Sequence, residues 1–220
     1  MLNRALASYI EHTNLAPAAR ISEIERLCAE AIDNAFAAVC VNPVRVALAA
    51  SVLSGRPIEV CSVVGFPTGA HTTQAKALEA RMAVEAGAGC VDMVANSGLL
   101  LDGKTREYAN DILSVGNAIG ANTTLKVIIE ASLLESSAIV EAARLAVEAG
   151  ANYIKTSTGV YGTARLEDVR LLKSLLPAHV RIKAAGGIRN ADFALSLIEA
   201  GASRLGTSKS VQILSELPDK

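Results

Sequence analysis

Five charged residues stand where aliphatic runs would otherwise be unbroken. Asp92 lies inside Val91-Asp92-Met93-Val94, Lys126 and Glu130 bracket Val127-Ile128-Ile129, Lys155 follows Tyr153-Ile154, and Lys183 follows Arg181-Ile182. An isolated buried charge is costly, and lysine and aspartate are rarely buried unpaired. Each of these residues, taken alone, fits a satisfied ion-pair network at a strand end as well as it fits a functional site. Two lysines and an aspartate together favour function. Two ammonium groups facing one site repel, and desolvation adds to the effect; both lower a lysine pKa. A partly neutral amine can attack a carbonyl. A nearby carboxylate can relay protons during imine formation and enamine chemistry.

A second signal concerns anions. Gly186-Gly187 follows the Lys183 run, and Gly206-Thr207-Ser208 follows a last short run and opens a short helix. A glycine pair lets the backbone approach an anion closely, and it also makes an ordinary turn. After a lysine-bearing strand, the anion site is the favoured reading.

Alternating elements must position these groups. Residues 37–41, 58–64, 90–94, 124–129, 153–156, 179–184 and 204–207 read as strands. Residues 43–54, 72–87, 105–119, 135–150, 166–176 and 192–201 read as helices. The opening stretch has an amphipathic helix pattern carrying Arg4 and Glu11, and a first strand near residues 9–13 brings the strand count to eight. The phrase Glu-Ala-Gly-Ala recurs at Glu85, Glu148 and Glu199, each time just before a strand, with Gly87, Gly150 and Gly201 at the helix C-cap. No Pro/Gly/Ser-rich linker divides the chain. The pattern predicts an α/β fold: a single-domain (β/α)8 TIM barrel spanning residues 1–220 with a short N-terminal helix. A doubly wound open sheet would want fewer units and a glycine-rich loop after its first strand, which the chain lacks. In a barrel, chemistry sits at the C-terminal ends of the strands, and phosphate sits by the loops after strands seven and eight.

Composition agrees. The 220 residues are 51% hydrophobic but only 3% aromatic, so a large core must be built from Ala, Val, Leu and Ile. Lys plus Arg number 21 against 22 Asp plus Glu, with no long run of one sign and a pI near 6.3. That balance argues against a nucleic-acid partner. Cys28, Cys40, Cys61 and Cys90 form no CxxC pair and sit in apolar segments, as buried structural thiols do; disulfides and metal ligands are disfavoured. A reducing, cytoplasmic setting follows. No signal peptide is read at Met1, and no apolar run approaches the ~18 residues of a membrane span.

The segment Ile154-Lys155-Thr156-Ser157-Thr158-Gly159 resembles the Schiff-base motif of deoxyribose-phosphate aldolases. Ile182-Lys183-Ala184-Ala185-Gly186-Gly187-Ile188-Arg189 resembles the family's second-lysine strand, and Val91-Asp92-Met93-Val94 its aspartate strand. Val39-Cys40-Val41-Asn42-Pro43, Val64-Gly65-Phe66-Pro67, Gly69-Ala70 and Lys126-Val127-Ile128-Ile129-Glu130 resemble its other strand ends. The resemblance runs from Ile10 to Ser208. It implies that Lys155 forms an imine with a two-carbon unit, that Lys183 keeps it partly neutral, and that Asp92 shuttles protons through a water. Lys126 would be a supporting charge, and Glu11, Thr13 and Cys40 would lie around the site. Gly159, Gly186, Gly187 and Ser208 would hold the substrate phosphate, largely through backbone N–H groups. The implied reaction is reversible cleavage of 2-deoxyribose 5-phosphate to acetaldehyde and glyceraldehyde 3-phosphate. No metal or other cofactor is implied, because the protonated imine is the electron sink. The partner is a phosphorylated sugar, and a homodimer or tetramer is compatible with such a barrel.

Several positions depart from the family's pattern. Glu11 stands where an aspartate is usual, Val160 where some relatives carry a lysine, and Lys209 where a small residue is common. Lys209 either returns positive charge to the phosphate end or is simply solvated. The chain ends at Lys220 without the C-terminal tyrosine that some relatives use. His12 and His71 read as polar support at the barrel mouth, His179 as surface, Cys40 as packing near the pocket, and Phe66-Pro67 as a loop-shaping pair. Thr156 and Ser157 fit substrate hydrogen bonding and strand capping equally. The alternatives are a related Schiff-base aldolase with another aldehyde or sugar phosphate, and a non-catalytic barrel that senses sugar phosphate. Intact Lys155, Lys183 and Asp92 argue against the sensor. Three scattered histidines give no ligand set for a metal-dependent aldolase.

Overall fold

A computed structural model describes residues 2–217. In chain order the elements are helix α1 (Leu2–Ala7), strand β1 (Ile10–Asn14), α2 (Ile21–Asn34), β2 (Ala38–Val41), a 3-10 turn (Pro43–Arg45) running into α3 (Val46–Val52), β3 (Glu59–Val64), α4 (Thr73–Glu85), β4 (Cys90–Val94), α5 (Ser97–Leu101), α6 (Thr105–Ile119) and β5 (Thr124–Ile128). A second 3-10 turn (Ala131–Leu133) follows, then α7 (Ser136–Glu148), β6 (Tyr153–Lys155), α8 (Leu166–Leu175), β7 (Arg181–Ala185), α9 (Ala191–Glu199), β8 (Arg204–Thr207) and α10 (Ser210–Ser215).

The eight strands are parallel and close in sequence order, β8 pairing with β1, which is the predicted (β/α)8 barrel. The Glu-Ala-Gly-Ala phrases explain its regularity. Gly87, Gly150 and Gly201 take φ of +106°, +93° and +120°. The residue after each glycine donates its N–H five residues back: Ala88 to Ala83 at 3.0 Å, Ala151 to Ala146 at 3.0 Å, Ala202 to Leu197 at 2.9 Å. This is one Schellman joint used three times to turn a helix into the next strand.

The core has two parts. Outward-facing strand residues such as Val91, Met93, Val127, Ile129, Ile154 and Ile182 pack against the helices in one large cluster. Inside the barrel the apolar cluster shrinks to Cys40, Cys61, Val63 and Cys90. Asp92, Lys126, Lys155 and Lys183 occupy interior positions of β4 to β7, which fits the strand period of two: the aliphatic residues next to them in sequence face the helices.

Three expectations change. Glu11 does not belong to the opening helix: α1 stops at Ala7, and Glu11 pairs with Ala38 on β2 and Gly206 on β8. Its backbone is held by two neighbouring strands, which overrides the local helical pattern. The expected order contains nothing between β1 and β2, yet α2 lies there, burying Ile24, Leu27, Cys28 and Ala31 on one face. The expected helix 43–54 begins instead as a 3-10 turn at Pro43, where proline suits a first turn. Among the described residues, no helix is long and apolar enough to cross a membrane. The C-terminal residue Lys220, singled out above, lies outside the described residues.

Candidate active site

Register places the charges together. Asp92 on β4 stands beside Lys126 on β5, and Lys155 on β6 beside Lys183 on β7. All four point to the axis. Lys155 Nζ and Lys183 Nζ each donate to Asp92 Oδ2 at 2.6 Å. Lys183 Nζ also donates to Glu11 Oε2. Lys126 Nζ lies 3.3 Å from that oxygen and 3.1 Å from Glu11 Oε1, the second approach an ion pair rather than an aligned hydrogen bond. Lys126 also lies 3.5 Å from Asp92 Oδ1 and 3.0 Å from Cys90 Sγ. The Cys61 thiol donates to Asp92 Oδ1 at 3.0 Å. Glu11, the departure from aspartate, thus bridges Lys126 and Lys183.

The buried carboxylates govern the charge on Lys183 and Lys126. Burial works against the charge on Lys183, but Asp92 and Glu11 outweigh it and hold the ammonium well above the ordinary lysine range. Lys126 behaves likewise: burial opposes its charge, and the surrounding thiols and the carboxylates of Glu11 and Asp92 prevail. The expected lowering by mutual repulsion is therefore not found at Lys183, because two carboxylates sit closer than the other ammonium groups can offset. Burial disfavours the Asp92 carboxylate, yet Lys155, Lys183 and Lys126 hold it well below its usual value. Glu11 is also lowered, with burial opposed by Lys126 and Lys183.

Above this network a cavity of about 710 Å³ opens at the C-terminal ends of the strands. Lys155 lines it together with Thr13, Gly159, Gly186, Gly187 and Ser208. Asp92, Lys183, Lys126 and Glu11 lie beneath, all 2% exposed or less, and contribute nothing to its wall. Gly159, Gly186 and Gly187 have φ of +81°, +96° and +72°. A Cβ on Gly186 would fall 2.6 Å from Ser157 Oγ and 2.9 Å from the Gly162 carbonyl, so a side chain cannot fit. The exposed side chains of Arg189 and Lys209 lie at this end of the cavity. The short helix α10 starts at Ser210, two residues after Ser208.

Cys40 is not part of the cavity wall. It is fully buried, in register with Cys61, which is in register with Cys90. All four cysteines are free thiols, and burial pushes Cys28 up to about 11. Cys40, Cys61 and Asp92 have ligand atoms within 4.8 Å of one another. Three ammonium groups around the same carboxylate make this an unfavourable place for a cation. Thr156 and Ser157 both donate to the Ala185 carbonyl, at 3.3 and 2.6 Å, tying β6 to β7. His179 is exposed.

His12 lines the cavity and is held on both ring nitrogens, Nε2 2.7 Å from Glu30 Oε2 and Nδ1 2.8 Å from Ser210 Oγ. Burial lowers its pKa against the opposing pull of Glu30. Glu30 sits on α2, so this wall was invisible without that helix; the spacing of Ile24, Leu27, Cys28 and Ala31 was the available signal.

Comparison with known proteins identifies the family. Residues 6–209 match the model of the DeoC/LacD family aldolases. The deoxyribose-phosphate aldolase of Natranaerobius thermophilus is 49% identical over 208 residues, 94% of each chain. That of Thermococcus kodakarensis is 48% identical over 228 aligned residues, covering 100% of both chains. A solved tetrameric deoxyribose phosphate aldolase from Aeropyrum pernix superposes with a TM-score of 0.90 at 32% identity, covering 97% of this chain and 91% of that one. With a family match over nearly the whole chain and relatives close to half identical along nearly their full length, the chain belongs to the DeoC/LacD family of aldolases.

Proposed function

We propose that this aldolase cleaves 2-deoxy-D-ribose 5-phosphate reversibly to acetaldehyde and D-glyceraldehyde 3-phosphate through a Schiff base on Lys155. One observation carries the assignment of the nucleophile: of the three lysines in the network, Lys155 alone lines the cavity. Charge balance supports it. Three ammonium groups face two carboxylates, and Lys126 and Lys183 each contact both Asp92 and Glu11. Lys155 contacts Asp92 only. It is the lysine least committed to the network.

The neutral Lys155 amine attacks the C1 aldehyde of the open-chain sugar, and the carbinolamine loses water to give a protonated imine. Removal of the C3 hydroxyl proton then breaks the C2–C3 bond. The electron pair moves into an enamine on Lys155, and glyceraldehyde 3-phosphate leaves. Protonation of the enamine carbon and hydrolysis release acetaldehyde and restore the amine. Asp92, bonded to Lys155, is the group through which a water can pass these protons. Gly159, Gly186, Gly187 and Ser208 offer the phosphate backbone N–H groups, and Lys209 and Arg189 add charge at that end.

The test is to incubate the protein with 2-deoxyribose 5-phosphate, reduce with borohydride, and map the modified peptide. A reduced two-carbon adduct on Lys155 is expected. Adducts with other aldehydes but none from this sugar would leave a related class I aldolase with another substrate. No adduct with any carbonyl compound would overturn the reading. A homodimer or tetramer belongs to the same proposal, prompted by the tetrameric Aeropyrum pernix relative, and light scattering on the eluted protein checks it. A cytoplasmic setting goes with four free thiols.

A further inference from the structure

The loop after the nucleophile, residues 156–164, brings Thr158, Gly159 and Val160 to the cavity wall, yet packing does not hold its crest. Val160 is 58% exposed and Tyr161 47%. At Thr158, next to that crest, the hold is polar and comes from Glu130. Glu130, just past β5, is buried and takes φ of +50°, a left-handed conformation rare for a residue with a side chain. Such strain persists only where surrounding contacts demand it. Those contacts are on its carboxylate. Oε2 accepts from the Thr158 backbone N–H at 3.0 Å and from the Thr158 hydroxyl at 2.5 Å, and Oε1 accepts from Ser132 Oγ at 3.2 Å. Thr158 Oγ1 in turn accepts from the Val160 N–H at 3.1 Å, which sets the turn containing Gly159.

Two further contacts seat the loop on the same turn. The Ala131 N–H donates to the Thr156 carbonyl at 2.8 Å, and a Cβ on Gly162 would meet Ser132 Cβ at 2.2 Å. On its other side Gly159 faces Gly186: a Cβ on Gly159 would lie 3.2 Å from Gly186 Cα. Glu130 is therefore linked through Thr158 to the two glycines at the anion end of the cavity, while Lys155 is held separately by Asp92.

We propose that Glu130 is a positioning residue for substrate phosphate: it fixes the Thr158–Gly159 turn so that this loop and the Gly186-Gly187 loop meet the anion in one preformed arrangement. The proposal rests on the phosphate reading above. Its signature is selectivity. Loss of the Glu130 carboxylate weakens binding of phosphorylated substrate and leaves imine chemistry on Lys155 in place.

The experiment compares Glu130→Ala and Glu130→Gln with the parent on 2-deoxyribose 5-phosphate and on unphosphorylated 2-deoxyribose, alongside borohydride trapping with acetaldehyde. Glu130→Ala is expected to raise KM for the phosphorylated sugar about tenfold or more, the scale of losing hydrogen bonds to a charged group. Acetaldehyde trapping on Lys155 stays at the parent level. Glu130→Gln keeps an amide oxygen for both Thr158 donors and restores most of the KM. Thr158→Val, which removes one donor without touching the left-handed residue, shifts KM in the same direction if Glu130→Ala fails to fold. Equal losses on both sugars and in trapping, or an unchanged KM in both Glu130→Ala and Thr158→Val, would overturn the proposal. A parent enzyme with no preference for the phosphorylated sugar would instead show that the phosphate reading itself has failed, and the role of Glu130 would fall with it.

Discussion

Lys155 and Lys183 donate to the same atom, Asp92 Oδ2, each at 2.6 Å, from adjacent positions on neighbouring strands. They are not equivalent. Lys183 has a second carboxylate in Glu11 and is sealed from solvent, whereas Lys155 has Asp92 alone and opens to the cavity. One carboxylate shared by two cations disfavours the second charge, and the cation with a spare partner keeps its own.

The first prediction removes that competition. Lys183→Leu leaves Asp92 to pair fully with Lys155, whose amine is then less free to attack a carbonyl. Activity at neutral pH falls about tenfold or more, which is about 1.4 kcal/mol or more of transition-state stabilisation. The acid limb of the pH–rate profile moves to higher pH, and part of the activity returns in alkaline buffer. An unchanged profile would remove Lys183 from this role.

Asp92→Asn provides the complementary case. The amide cannot act as a base or balance two ammonium groups, so turnover slows severely. Gly159, Gly186 and Gly187 belong to other strands and loops, so phosphate binding stays largely intact. Inhibition by inorganic phosphate, measured in parent and variant, checks this; loss of binding would make Asp92 chiefly structural.

How much of this was legible beforehand depended on whether the signal was local. Strands β4 and β8 and helix α6 were read with their observed bounds, since aliphatic runs and glycine stops mark them within a few residues. Lys155, Lys183 and Asp92 were legible as charges misplaced in such runs. That Lys126 and Lys183 are sealed while Lys155 opens upward was not, because it depends on the stagger of neighbouring strands. The alignment of Cys40, Cys61 and Cys90 across three strands is hidden for the same reason: each residue alone is an apolar position, and only register makes them a cluster beside Asp92. Glu130 reads in the sequence only as a strand end, because its partner Thr158 lies far along the chain, beyond α7 and β6. Helix α2 had a usable pattern, but its mixed face of Ile, Leu, Cys and Ala is less conspicuous than the aliphatic strands around it.

A pH prediction follows from His12. Burial lowers its pKa from 6.5, so the unfolded chain takes up a proton before the folded one does as pH falls. Where the unfolded state binds more protons, stability rises with pH. The His12 contribution is therefore lost on acidification below about 6.5 and levels off once the folded imidazole also protonates. His12→Gln should flatten the fall in Tm between about pH 7 and pH 5, a window set by the unperturbed imidazole. Parallel curves for parent and variant would mean that His12 titrates alike in both states.

Gly186→Ala probes the anion end. Its φ of +96° is unfavourable for alanine, and the new Cβ would collide with Ser157 Oγ and the Gly162 carbonyl. The loop must shift away from Gly159. KM for phosphorylated substrate should rise, with a stability loss of about 1 kcal/mol or more from the backbone conflict. Steady-state kinetics and thermal melts report the two effects separately. Parent-like values in both would mean that the loop adapts freely.

A fourth buried lysine lies outside the cavity. Lys76 on α4 is fully buried, and burial lowers its pKa against the pull of Asp111. Its Nζ lies 2.5 Å from Asp111 Oδ2 on α6 and donates to the carbonyls of Gly69 at 2.9 Å and Val94 at 3.1 Å. Its stem lies against Gly65, where a Cβ would come within 2.7 Å of Lys76 Cδ. One side chain thus joins two helices, the loop after β3 and the end of the Asp92 strand. Lys76→Met leaves the buried Asp111 with only Thr73 Oγ1, 3.0 Å away, and should cost about 3–5 kcal/mol, as for other broken buried pairs. Lys76→Met combined with Asp111→Leu should recover part of that loss, because no uncompensated charge remains. Denaturant midpoints for the parent, both single variants and the double variant decide it. A double variant no more stable than Lys76→Met would mean that the carbonyl contacts to Gly69 and Val94, rather than the ion pair, set the stability of this side of the barrel.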